Sequence, residues 1–114
     1  MAQSDKWKTF LRRLMTEFSV RKYSVYYGNE NGMEMHLGSP VPEILIERYL
    51  SYRCTMITAE HDGYRLITQI WVHDRVYLLV LYSDENFSDT DICYILNDVA
   101  ALQKELQASG KEYQ

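Results

Sequence analysis

The chain holds only two cysteines, two prolines and five glycines in 114 residues, and no apolar run nears the roughly 18 to 20 residues of a membrane span. Two distant cysteines, Cys54 and Cys93, cannot make a disulfide framework and read as buried free thiols in a reducing compartment. The first twenty residues spread Lys6, Lys8, Arg12 and Arg13 along their length instead of grouping them ahead of an apolar segment, so no signal peptide is read and the expected location is the cytoplasm. Five glycines leave little material for a phosphate cradle, and no Walker-type loop or Gly-x-Ser-x-Gly elbow occurs. His36, His61 and His73 show none of the HxH, HExxH or CxxC spacings that bring metal ligands together. Asp84, Glu85, Asp89 and Asp91 lack the spacing of a calcium loop, and their place ahead of a helix explains them as capping charge. No catalytic residue, metal site or cofactor is assigned, which removes every positive reason to propose an enzyme.

What is present is globular. Hydrophobic residues make up 46% and charged residues 25%, so the chain can form a packed core without a metal or disulfide staple. Ten tyrosines suit half-buried strands and interfaces equally. The formal net charge is −4, but Met1 to Lys22 carries six basic and two acidic residues and stands at +4, leaving −8 for the rest. An acidic body argues against a broad nucleic-acid surface.

Periodicity divides the chain into eight elements. Trp7, Phe10, Leu11, Leu14 and Phe18 form a helical stripe, with Ser4 placed to cap it. Arg21 to Tyr27 reads as a strand. Met33 to Leu37 reads as another, with Met33, Met35 and Leu37 on one face and Glu34 and His36 on the other. Asn31-Gly32 suits the turn between them. Gly38 to Pro42 breaks the pattern before a short helix from Pro42 to Ser51. Three strands follow, at Arg53 to Glu60, Tyr64 to Val72 and Val76 to Tyr82, joined by tight turns at His61-Asp62-Gly63 and His73-Asp74. The last strand is apolar throughout, which marks a central strand covered on both faces. A final helix starts near Ser88, which has capping-box spacing to Asp91. Its stripe is Ile92, Ile95, Leu96, Val99, Leu102 and Leu106, and 108–114 read as a frayed polar tail.

The expectation is one α+β domain over 1–114, in the order α-β-β-α-β-β-β-α. A single five-stranded, mostly antiparallel sheet carries helices packed on it.

This order, with Ile57-Thr58-Ala59-Glu60-His61-Asp62-Gly63-Tyr64 followed by Leu78-Leu79-Val80-Leu81-Tyr82 and the closing helix, resembles the roadblock/LC7 adaptor domains. The resemblance implies a dimeric protein-binding module acting on a small GTPase or a scaffold. The interface is then expected on strand Arg53 to Glu60 or on helix Pro42 to Ser51, at Glu47, Tyr49, Tyr52 and Arg53. A basic helix face of Lys6, Lys8, Arg12 and Arg13 could meet an acidic partner.

A more local similarity, through Tyr64-Arg65-Leu66-Ile67, Val76 to Ser83 and Asp89-Thr90-Asp91, is to the RelE/HigB toxins. It implies ribosome-associated RNA cleavage, with Arg53, Arg65 and Tyr82 near the RNA. Small size, acidity and the mixed element pattern also resemble a type III secretion chaperone, whose usual order places three strands before the middle helix.

Overall fold

A computed structural model describes the backbone of residues 2–29 and 32–112 and the side chains of 5–29 and 32–108. The elements are α1 (Ala2–Glu17), β1 (Val20–Asn29), β2 (Gly32–Gly38), α2 (Glu43–Ser51), β3 (Met56–Glu60), β4 (Gly63–Val72), β5 (Arg75–Ser83) and α3 (Asp89–Glu112). The five strands form one sheet in the order β2-β1-β5-β4-β3, and all four ladders are antiparallel. The fold is therefore α+β, in the element order and with the single sheet expected from periodicity. The Asn31 half of the first turn and residues 113–114 of the expected frayed tail lie outside the described residues, while the backbone of that tail up to Glu112 continues α3.

β5 sits at the centre because it has no polar face to leave in water. Tyr77, Leu79 and Leu81 enter one core, and Leu78, Val80 and Tyr82 enter the other. Burying a leucine side chain fully contributes roughly 1.5–3 kcal/mol, so this strand alone anchors both layers. On one face α1 and α3 lie side by side, bringing Trp7, Phe10, Leu11 and Leu14 together with Ile95, Val99, Leu102 and Leu106. On the other face α2 lies alone and packs Ile46 and Tyr49 on Tyr26, Ile67, Leu78 and Val80. α3 opens as its sequence implies, with the Ser88 hydroxyl accepting the Asp91 N–H at 3.1 Å.

Four local expectations are corrected. α1 starts at Ala2, so Ser4 lies within its first turn and not ahead of it. In β2 the β1 register shifts between Val25 and Tyr26, which pair with Leu37 and Met35. His36 is the extra residue of this bulge. Met33 therefore packs with the α2 core, while Leu37 packs with the α1/α3 core. β3 begins at Met56, three residues later than expected, because Tyr52 to Thr55 form the connection from α2. Cys54 lies in that connection, Cys93 lies off the α3 stripe, and both are exposed, not buried.

Candidate functional site

The lone helix α2 is fastened to the sheet at both ends. At its start, the Tyr26 hydroxyl accepts the Val41 N–H at 2.9 Å. The buried Ser24 hydroxyl donates to the Ser39 carbonyl at 2.6 Å. Gly38, at φ +89, makes this entry possible, since a Cβ there would lie 2.2 Å from the Tyr23 carbonyl oxygen. At the other end, the Gln69 amide nitrogen reaches the carbonyl oxygens of Tyr49 (3.1 Å), Leu50 (3.4 Å) and Tyr52 (2.6 Å). Helix C-termini expose carbonyls without internal partners, and Gln69 supplies the donor from a neighbouring strand. The Gln69 carbonyl accepts the Trp71 indole N–H at 3.2 Å, which sets the orientation of the amide.

Between this pinned helix and the β1–β2 hairpin lies an open cleft of about 530 Å³. That volume falls within the range of small-molecule sites. Its apolar lining is Met33, Ile46 and Leu50, and its polar lining includes Asn29, Glu43, Glu47 and Ser51. Positions 43, 46, 47 and 50 fall on one face of a helix, so α2 presents an apolar strip flanked by two carboxylates. No Lys, Arg or His lines the cleft, and neither glutamate has an ion-pair partner among the described residues.

The same sheet face becomes cationic beyond Tyr49. Strand register sets Lys22, Tyr82, Arg65 and Thr58 in one row. Lys22 Nζ lies 4.6 Å and the Arg65 guanidinium 5.0 Å from the Tyr82 ring centroid. Arg65 also donates to the Tyr49 hydroxyl at 3.3 Å and pairs with Glu60 at 3.5 Å. Burial alone would lower the Arg65 pKa, but the Tyr49 hydrogen bond, with Tyr82 and Glu60, raises it, so the group stays a cation. Arg65 Nε and the Thr58 hydroxyl are buried without hydrogen-bond partners among the described residues.

The residues expected at an interface do not share one surface. Tyr49 is buried beneath α2 and Glu47 lines the cleft. Tyr52 is exposed, and Arg53 stacks on Trp71 at 4.8 Å. The basic helix face divides as well. Lys6 donates to the Glu105 carbonyl at 3.3 Å, and Arg13 pairs with Glu17 (3.3 Å) and Asp98 (3.6 Å). Those two border a hollow of about 320 Å³ between α1 and α3, whereas Lys8 and Arg12 face solvent. Sequence reasoning named Glu47 as a contact of a protein interface and Met33 as one face of a strand, and gave no role to Glu43 or Gln69. The available signal was the pair of carboxylates one turn apart on either side of Ile46. Among the described residues, no three His, Cys, Asp or Glu side chains come together as metal ligands.

No family model matches the chain, and no curated protein matches its sequence. Solved structures do match its fold. The GAF domain of a two-component sensor histidine kinase from Bacillus halodurans superposes with a TM-score of 0.75 over 97% of each chain, at 14% identity. The GAF domain/HD domain protein from Geobacter sulfurreducens superposes with a TM-score of 0.71 over 91% of each chain, at 12% identity. The shared fold is that of GAF domains. This overturns the roadblock/LC7 resemblance, and the dimeric adaptor function drawn from it is withdrawn. The RelE/HigB and type III secretion chaperone readings fall on the same finding. These readings had rested on element order, short local strings, size and acidity, which several unrelated functions share.

Proposed function

We propose that this chain is a small-molecule- or signal-sensing regulatory domain whose sensing site is the cleft beneath α2. The observation that carries the reading is the cleft itself. It is ligand-sized, has both apolar and polar walls, and is bounded by the helix that lies alone on its face of the sheet. Its setting supports the same reading, since the fold matches the GAF domain of a sensor histidine kinase over 97% of each chain. A ligand seated there would touch α2 and the β1–β2 hairpin together. It would thereby bias the position of α2 relative to the hairpin, which is what coupling a binding event to a partner domain requires. The exposed thiols of Cys54 and Cys93 suit the reducing cytoplasm expected from the sequence.

The test is a screen of the ¹⁵N-labelled protein against a metabolite library by amide chemical-shift mapping. Hits should perturb Asn29, Met33 and the amides of α2 as one set. A library that yields no ligand for these residues, or ligands only for the hollow between α1 and α3, overturns the proposal.

A further inference from the structure

Resting on the sensing reading above, we infer that the cleft beneath α2 takes an organic cation: an ammonium group joined to a compact apolar body. Glu43 and Glu47 stand one helical turn apart, where Cβ atoms are about 5–6 Å apart, and both line the cleft. Ile46 and Leu50 share their helix face and supply an apolar bed beside them. Asn29 and Ser51 add polar groups at the rim. The cationic side chains near the hairpin do not neutralise this pair. Arg75 lies over the Tyr27 ring at 5.6 Å, and Tyr27 packs toward the opposite α1/α3 core. Lys22 and Arg65 are engaged on Tyr82 in another row of the sheet.

Two like charges one turn apart repel, modestly here because both side chains are exposed, and neither is in an ion pair among the described residues. An ammonium placed between the two carboxylates removes that repulsion and gains two charge-assisted hydrogen bonds. Its apolar body covers Met33, Ile46 and Leu50. An anion of the same shape would add a third negative charge to the site. A neutral isostere would bury the same apolar surface and leave the repulsion in place. Charge therefore selects among ligands of equal shape.

The experiment compares phenethylammonium, 2-phenylethanol and phenylacetate, which share one apolar body and differ in charge. Affinities are read from amide shifts of α2, Asn29 and Met33 at low salt. The ammonium should bind about 5-fold more tightly than the alcohol, the factor for an exposed ion pair of about 1 kcal/mol, and the carboxylate more weakly than both. The preference should fall as salt is raised. In the Glu43→Gln/Glu47→Gln double variant the three affinities should converge, while far-UV circular dichroism shows the fold retained. Equal or tighter binding of the alcohol or the carboxylate overturns the charge assignment and leaves the sensing reading standing. Failure of millimolar phenethylammonium to move any cleft amide overturns it also. The library screen decides the sensing reading separately.

Discussion

The side-chain amide of Gln69, on β4, lies 2.6 Å from the backbone carbonyl of Tyr52, the residue that caps the C-terminus of α2. One strand residue thus closes a helix that packs on its own face of the sheet. Replacing Gln69 with Leu keeps the bulk and removes the donor. Global stability should fall by about 1–2 kcal/mol in urea titrations, since orphaned carbonyls regain only part of their solvation. The more informative readout is local. Amide exchange in α2 should accelerate more than in α1 or α3, because Gln69 bonds the end of α2 and neither of the other helices. Uniform acceleration across all three helices would show that Gln69 is not a clasp.

Thr58 and Thr68 make a matched contrast. The Thr58 hydroxyl is buried opposite Arg65 with no hydrogen-bond partner among the described residues, while Thr68 shares a 2.8 Å hydrogen bond with Thr55. Thr→Val keeps shape and deletes the hydroxyl. Thr58→Val should leave stability unchanged or raise it, and Thr68→Val should lower it by about 1 kcal/mol. Thermal unfolding of the two variants side by side checks the opposite signs.

Much of this architecture was legible in the chain, for identifiable reasons. Val76 to Tyr82 is apolar at every position, so it could only be central, and β5 lies between β1 and β4. Ser88 and Asp91 announced the start of α3 by a local rule of spacing. The strand Met33–Leu37 misled because alternation assumes an unbroken register, and the bulge at His36 turns Leu37 to the opposite face from Met33. The role of Gln69 was invisible, since its partners lie 17 to 20 residues away and are backbone carbonyls, which carry no sequence signal. Of the cleft, Glu47 was named in advance as an interface contact and Met33 as a strand residue, neither as part of a cleft. Glu43 and Met33 join it only once β1, β2 and α2 have been brought to the same side of the sheet.

The like-charged pair on α2 predicts a stability change opposite to its predicted effect on binding. Glu47→Gln removes repulsion from Glu43 and should raise the stability of the ligand-free protein by about 0.2–0.5 kcal/mol. The gain should shrink as salt screens the pair. Differential scanning calorimetry at two ionic strengths checks both statements. A loss of stability at low salt would mean that Glu47 has a favourable partner in solution.

Gly38 sits where α2's connection leaves β2, at φ +89 and with the Tyr23 carbonyl oxygen 2.2 Å from any added Cβ. Gly38→Ala must strain the backbone and also displace the β1–β2 pairing at Ser24. The expected loss is about 1–3 kcal/mol, measured by chemical denaturation. Gly32 has open space at the equivalent Cβ position, so Gly32→Ala should fall well short of that loss. Similar effects at the two sites would contradict the assignment of Gly38 as the constrained turn.

His36 gives the fold a pH dependence whose sign follows from its surroundings. The bulge places its ring 5.5 Å from Tyr77 and 6.3 Å from both Trp7 and Tyr27. Partial desolvation beside these rings lowers its pKa from the ordinary 6.5 although the side chain remains exposed, because desolvation disfavours the imidazolium. Between the lowered folded value and 6.5, the unfolded chain binds more protons than the folded one. Stability must therefore rise with pH across that window and fall as the solution is acidified below 6.5. Above 6.5 both states hold a neutral ring and the contribution is complete. His36→Gln cannot titrate, so its urea midpoints should show a shallower decline on acidification than those of the parent chain. Identical slopes in the two proteins would mean that the neighbouring rings do not desolvate the imidazole.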